Sequence, residues 1–305
     1  MGAPVKSIFV CGGTTPNHAP DDWTRRDTLF RIIDGEERAK YEAGLDKHYY
    51  TKAEGIDGFL FRDHYKDWLT LELDIARISE VTLLFCESPG AFAELGAFAT
   101  DSEIAQSLLV IIDYDKYQLN GFIRHGLLKY LEDTYSAASV YVLQVNEMGL
   151  ISRSMKGSDI DTDRFALAVG QALDLRLKEP LGHRTFNPNM SGHRIKFVTG
   201  LVQEYGALTL NEIEYIFASI DIDVTDDDLN RYLFCAETMG WLKKDRRGYE
   251  VYFTSTSATR CLTYLSRPDG PVVDRRRWRA DIRDYWKAHD EQRFASIVSC
   301  YGAGA

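Results

Sequence analysis

Two apolar runs flanked by acid constrain this chain more than anything else in it: "EVTLLFCE", with Val81 to Cys86 at its centre, and "SLLVIIDYD", from Ser107 to Asp115. A half-exposed strand alternates apolar and polar residues, whereas a strand covered on both faces by helices, as in a parallel sheet, stays apolar throughout. The neighbouring segments have helical spacing. Before the first run, "DHYKDWLTLELDIARIS" carries Leu69, Leu73 and Ala76, with Ile78 offset by two, and between the runs "AFAELGAFATDSEIA" reads as helix. Ile8 to Cys11 reads as an earlier strand ended by Gly12 and Gly13, Val140 to Val145 as a later one, and "DRFALAVGQALDLRL" as an amphipathic helix with Phe165, Leu167, Val169, Leu173 and Leu177 near one stripe. Strands alternating with helices predict an α/β fold built on a doubly wound parallel sheet. Residues 14–62 mix charge, aromatics and glycine. A helix is drawn there around Trp23 to Ile33, and the rest reads as an active-site insertion.

The 305 residues are 45% hydrophobic and 12% aromatic, a composition that supplies cores for two domains. Composition changes after Leu177, where "KEPLGHRTFNPNMSGH" concentrates Pro, Gly and Asn, so the predicted division is a domain at 1–178, a linker at 179–190, a smaller domain at 191–265 and a helical tail at 266–305. In the smaller domain "HRIKFVTGLVQEYG", "LTLNEIEYIFASI" after a Thr209 to Glu212 capping box, and "TDDDLNRYLFCAETMGWL" capped by Thr225 read as three helices. "KKDRRGYEVYFTS" follows with the pattern of a hairpin, and helix, helix, helix, hairpin is the order of a winged helix. A formal charge of -10 argues against indiscriminate polyanion binding. Lys243, Lys244, Arg246 and Arg247 nevertheless place four positive charges on or beside the wing, as nucleic-acid or partner contacts, while Asp226 to Asp228 would repel a phosphate backbone at the start of the third helix. "RRRWR", Arg275 to Arg279, reads as a solvated helix face. The apolar run after Lys6 is too short for a signal peptide and none approaches a membrane span, so a cytoplasmic protein without membrane contact is expected. Five cysteines without a CxxC pair, and His183 and His193 ten apart in a linker, indicate neither disulfides nor metal.

The chemistry centres on Glu94. In a doubly wound sheet ligands sit beyond the carboxyl ends of the strands, so the turns after Cys11 and Cys86 face one cleft. The second strand rises about 17 Å, and Glu94, about one turn down the next helix, reaches back to the cleft mouth. Glu72, on the preceding antiparallel helix and about 10 Å above its end, is placed near the same level. Phe92, Leu95, Ala97 and Phe98 surround Glu94 with an apolar wall, and a carboxylate buried without purpose is costly. Such a group beside Gly12, Gly13 and the Ser88-Pro89-Gly90 turn suits an anomeric carbon, which gains positive charge as a glycosidic bond breaks. The glycine pair and the helix start after Gly90 offer backbone N–H groups to a phosphate, which makes a nucleotide a better substrate than a bare sugar. The competing reading of Glu94 is a dipole partner or helix cap. That of Glu72 is an exposed helical carboxylate paired with a basic neighbour, and His18 is either an acid or ligand contact or a plain loop histidine.

"IFVCGG", "ESPGAFAELGAF" and Glu72 eight residues before Glu80 together resemble the nucleoside deoxyribosyltransferase-like domain, a flavodoxin-like fold, over residues 6–178. More narrowly, the chain is similar to the toxin effectors of retron antiphage systems, which join that domain to a C-terminal winged helix. The resemblance implies Glu94 as the catalytic glutamate and Glu72 as a second catalytic acid, contacting the ribose. It implies a substrate-binding set of Cys11, Gly12, Gly13, Asn17, His18, Arg26, Glu87, Ser88, Pro89 and Gly90, with Trp23 in the same segment as Arg26. It further implies N-glycosidase action on NAD as substrate with no cofactor, and control by the retron reverse transcriptase, its multicopy single-stranded DNA and the associated RNA, with scope for higher-order assembly. The charged insertion at 34–62 departs from the family pattern. NAD is favoured chemically because nicotinamide leaves as a neutral base without a proton donor, whereas a purine leaves well only when protonated. A nucleotide sensor that binds without turnover and represses transcription, and a transferase moving deoxyribose between bases, are the alternatives.

Overall fold

The computed structural model describes residues 1–13, 23–35, 45, 48–52, 63–150, 157–179, 185–264 and 273–301. Along the chain the elements are β1 (Ser7–Gly12), α1 (Arg25–Asp34), β2 (Tyr49–Thr51), α2 (Trp68–Ile78), β3 (Val81–Phe85), α3 (Pro89–Thr100), α4 (Ser102–Ala105), β4 (Leu108–Asp113), α5 (Tyr114–Gln118), α6 (Lys129–Thr134) and β5 (Val140–Leu143). There follow α7 (Thr162–Lys178), α8 (Ser191–Tyr205), β6 (Ala207–Leu208), α9 (Leu210–Ser219), α10 (Asp226–Thr238), β7 (Leu242–Arg247), β8 (Glu250–Ser255), α11 (Arg275–His289) and α12 (Glu291–Tyr301). They form two compact units. A sheet unit takes the described residues of Lys6–Ile56 and Ser79–Gly182, and a C-terminal unit takes those of Met1–Val5, Asp57–Ile78 and His183–Ala305.

In the sheet unit five parallel strands lie in the order β2-β1-β3-β4-β5. This is a doubly wound order whose direction of winding reverses between β1 and β3, and a ligand crevice opens beyond the strand ends at such a reversal. Alternate residues explain why the runs are apolar throughout. Ile8, Val10, Val81, Leu83, Phe85, Leu109 and Ile111 share one core with Leu29, Ile32 and Ile33 of α1 and with Phe165, Val169 and Leu173 of α7. The intervening Phe9, Leu84, Leu108, Val110 and Ile112 are buried as well.

Several expectations shift here. β2 lies inside the segment read as an insertion; its three residues include an exposed Tyr49, so there was no apolar run to see. "AFAELGAFATDSEIA" is two helices rather than one, because Asp101 ends α3 and its side chain accepts from Glu103 N to cap α4. On α7 Phe165, Val169 and Leu173 are buried, but Leu167 is 53% exposed. Two residues along a helix is about 200°, so Leu167 stands opposite the Phe165–Val169 stripe. Arg176 takes a core position instead, and its guanidinium donates to the carbonyls of Leu108, at 3.1 Å, and Gln106.

The C-terminal unit keeps the anticipated order of α8, α9, α10 and the β7–β8 hairpin, with β6 completing an antiparallel sheet in the order β6-β8-β7. Thr209 and Glu212 form the reciprocal capping box, and Thr225 caps α10 through Asp228 N. Gly248, at φ +58°, makes the hairpin turn. α2 belongs to this unit and packs on α8 and α10. Its buried residues are Leu71, Asp74, Ile75, Ala76 and Ile78, whereas Leu69 is 54% exposed. The apolar stripe through Leu69 and Leu73 was therefore the wrong one, and the reason is Asp74, a carboxylate with 0% exposure on the core-facing stripe. Arg231 Nε lies 3.1 Å from its Oδ2 and Arg77 Nη1 donates to Oδ1 at 3.0 Å. The Tyr65 hydroxyl donates to Oδ2 at 3.1 Å. Burial pushes the Asp74 carboxyl above the usual carboxylate range, with Arg231 and Arg77 pulling it back.

"RRRWR" is only partly a solvated face. Arg276 and Arg277 are exposed, but Arg275 lies 3.8 Å over the Tyr264 ring and Arg279 pairs at 3.1 Å with the buried Glu204. Trp286 Nε1 donates to the Tyr205 carbonyl at 2.9 Å, which fixes α11 against the end of α8.

Candidate active site

The strand ends of the sheet unit are built from small residues because the backbones come close. Gly12 pairs with Phe85 across β1 and β3. At φ +93° it is in a conformation that favours glycine, and a Cβ there would stand 2.1 Å from the Phe85 carbonyl oxygen. Gly13, at φ +74°, would bring a Cβ to 3.0 Å from Thr24 Oγ1 and 3.3 Å from Glu87 Oε1. Cys11, before the pair, is buried.

Glu87 has a local task. Its Oε2 accepts from Arg25 N at 2.8 Å and its Oε1 from Arg26 N at 3.0 Å, so a carboxylate meets the positive end of α1 and satisfies two of its unpaired donors. Thr24 and Asp27 cap the same end reciprocally. Burial raises the Glu87 carboxyl above its ordinary range, and the two N–H bonds and the Arg25 charge oppose that shift. Arg26 is buried, with its guanidinium 5.4 Å from the Phe30 ring centre.

α3 starts at Ser88, whose Oγ accepts from Ala91 N at 3.2 Å and donates to the Gly13 carbonyl at 3.4 Å. Pro89 has no N–H, and Phe92 N bonds to the Ser88 carbonyl. Among the described residues this leaves the Gly90 N–H as the helix-start donor for an anion, narrower than the row of donors expected. Ala91, Leu95, Phe98 and Ala99 form the buried stripe of α3. Glu94 borders that stripe and is half-buried rather than walled in, because Ala93, Pro89 and Gly90 beside it are exposed. Its Oε2 is shut off from solvent. The carboxylate therefore stands at the margin between core and open surface. Burial pushes the Cys86 thiol up to about 12; Lys116 opposes that shift, and the charges of Glu94 and Glu87 reinforce it, which places all three close to the end of β3.

Lys116, Asp113 and Arg25 join this cluster without having been anticipated. Lys116, on α5, donates to the carbonyls of Cys86 at 3.2 Å and Glu87 at 2.9 Å and stands 5.8 Å from the Phe92 ring centre. Arg25 Nη2 pairs with Asp113 Oδ2 at 3.2 Å. The signal was the charge directly after a buried strand, "IIDYDK", at the strand end that faces ligands.

The remaining expected residues are elsewhere. Asn17 and His18 lie outside the described residues. Glu72 is half-buried on α2, in the C-terminal unit, so the site built above is that of the sheet unit alone. Lys243, Lys244 and Arg246 are exposed on β7, and Arg247 is half-buried and paired with Asp245 at 3.0 Å. Successive strand residues point to opposite faces, so Lys244 and Arg246 share one face and Lys243 and Arg247 the other, and the four do not form a single patch.

Comparison with known proteins bears on both units. A protein of Escherichia coli retron Ec86, named as a ribosyltransferase/DNA-binding protein, is 31% identical over 164 residues, which is 53% of this chain and 48% of that relative. Its counterpart from Escherichia coli retron Ec73, similarly named, is 22% identical over 222 residues, 70% of this chain and 66% of the relative. The chain thus spans about half the length of the first and under two thirds of that of the second. The model of the STM3845 retron effector protein family matches residues 24–244, a stretch that takes in Glu87, Glu94 and Lys116 and continues through α10, and the chain belongs to that family.

Proposed function

We propose that this effector cleaves the N-glycosidic bond of a nucleotide, NAD first among candidates, with Glu94 as the carboxylate that meets the charge developing on the anomeric carbon. The observation that carries the reading is the place of Glu94. It lies on the helix leaving β3, whose N-cap Ser88 bonds to the Gly13 carbonyl at the winding reversal, and it is half-buried with one oxygen shielded from water. Low solvent exposure strengthens its field on an oxocarbenium-like centre. As the bond from C1′ to the base breaks, the electron pair leaves with the base and a cationic nicotinamide departs neutral, so no proton donor is required. Glu94 holds the resulting positive charge, or captures it covalently until water completes the step. The ribosyltransferase names of the two relatives denote chemistry at the same carbon.

The C-terminal unit we read as a winged helix that places the enzyme under control of the retron reverse transcriptase and its multicopy single-stranded DNA and RNA. The DNA-binding names of the relatives support a nucleic-acid partner. The deciding experiment incubates purified protein, alone and with the retron complex, with NAD and follows nicotinamide by chromatography. Release of nicotinamide is the expected result. Binding of NAD without product under both conditions would identify a sensor, and base exchange on a deoxynucleoside given an acceptor base would identify a transferase.

A further inference from the structure

We propose that Lys116 receives a phosphate group of the substrate, so that the sheet unit acts on nucleotides in preference to the nucleosides they give on dephosphorylation; the inference rests on N-glycosidic cleavage at Glu94. Lys116 Nζ is bonded to the carbonyl oxygens of Cys86 and Glu87, the first two residues beyond β3, and so stands at the carboxyl end of the sheet where ligands enter. An ammonium has three donors. Two are spent on carbonyls, which carry partial charge and do not neutralise it. Among the described residues no carboxylate lies within ion-pair distance of Lys116. Asp113, three residues earlier, is paired with Arg25, and the Glu87 carboxylate faces the N–H groups of α1 although its carbonyl holds Lys116.

Among the described residues this half-buried cation has one donor to spare and no carboxylate partner, an arrangement suited to an anion from outside. A phosphate fits, since its oxygens accept charge-assisted bonds from a lysine acting as a point charge. Gly90, exposed in the first turn of α3, offers a backbone N–H as a second donor near the end of β3. Lys116, bonded to the Cys86 carbonyl, and Glu94 both act on the Cys86 thiol, with opposite sign, so both charges are felt at the end of β3.

The test uses the full chain and the pair nicotinamide mononucleotide and nicotinamide riboside. A bond to a charged group contributes about 1.5–3 kcal/mol, so wild type should favour the phosphorylated substrate in kcat/KM by about 10- to 100-fold. Lys116→Met should bring that ratio close to one, mainly through KM, and Lys116→Arg should keep part of it. Inorganic pyrophosphate should compete with the mononucleotide in wild type and bind it calorimetrically, and Lys116→Met should abolish that binding. A ratio unchanged in Lys116→Met, or an equal fall on both substrates with folding intact by thermal melt, would reduce Lys116 to a clamp on the β3 carbonyls and overturn the proposal. Should Lys116→Met fail to fold, absence of pyrophosphate competition in wild type overturns it equally. Lys116-dependent pyrophosphate binding without base release from any nucleotide would keep the phosphate site and sink the cleavage reading.

Discussion

Arg293 in the C-terminal unit and Lys116 in the sheet unit are both cations held over aromatic rings, yet their surroundings differ. Arg293 is buried with Nη2 2.7 Å from Glu212 Oε1, Nε 3.0 Å from Asp290 Oδ2 and Nη1 3.4 Å from the Ala207 carbonyl, and its guanidinium lies 4.0 Å from the Trp286 ring centre and 5.2 Å from that of Tyr252. Two carboxylates answer one positive charge, and the cluster ties α12 to α9, β8 and α11. Among the described residues Lys116 meets two carbonyls and one ring. Internally matched charge fixes how elements pack, because each partner leaves the other unpaired if displaced. Lys116, without a carboxylate partner among the described residues, lies at the ligand-facing end of the parallel sheet, and its partner is expected to come from solution.

The largest expected effect tests the matched side. Arg231→Met leaves Asp74, at 0% exposure, with Arg77 and Tyr65 alone. Removing one partner of a buried pair costs about 3–5 kcal/mol, and the loss should appear as a lower denaturation midpoint in urea. The same reasoning warns that a chain ended near residue 180 would lose Arg231 and unsettle α2. A variant with unchanged stability would show that Asp74 gains little from its guanidinium and that matched charge is no guide to packing here.

Glu94→Gln tests the ligand-facing side. The amide keeps the volume and removes the charge, so binding should survive while turnover falls by a hundredfold or more, about 3 kcal/mol of transition-state stabilisation. Thermal unfolding should stay near wild type. Near-normal nicotinamide release from Glu94→Gln, with folding confirmed, would make the carboxylate a helix feature and end the mechanism.

The same division of charge decides what the sequence reveals. Burial on both faces writes β1, β3 and β4 as apolar runs, and these were readable together with the caps at Thr209 and Thr225. Edge strand β2 has no such run. On α2 the place of Leu69 was misread and on α7 that of Leu167 alone, while the core positions of Asp74 and Arg176 were missed, because a charged residue looks like surface until its partners, distant in sequence, are placed beside it. Arg231 is far along the chain from Asp74, as Leu108 is from Arg176. Glu94 drew notice because a lone acid stands out among small and apolar residues, and it borders the buried stripe of α3. Lys116 did not, since a lysine after a strand resembles ordinary solvated charge and only the two carbonyls it holds distinguish it.

"RRRWR" carries both kinds of charge within one turn and a half of helix, and it gives the smallest expected effects. Arg279 meets Glu204, which is buried, so Arg279→Met should cost about 1–3 kcal/mol by leaving a carboxylate without its partner. Arg276 is exposed, and Arg277 reaches Asp281 only at 4.0 Å with both side chains largely in water. Ion pairs of that kind contribute little, so Arg276→Ala and Arg277→Ala should each change stability by no more than about 0.5 kcal/mol. These two arginines face solvent, and their replacement should weaken association with the retron nucleic acid without moving the melting temperature. Equal destabilisation by all three variants would mean that exposure along α11 does not separate packing charge from partner-facing charge, and the contrast between Arg293 and Lys116 would lose its generality.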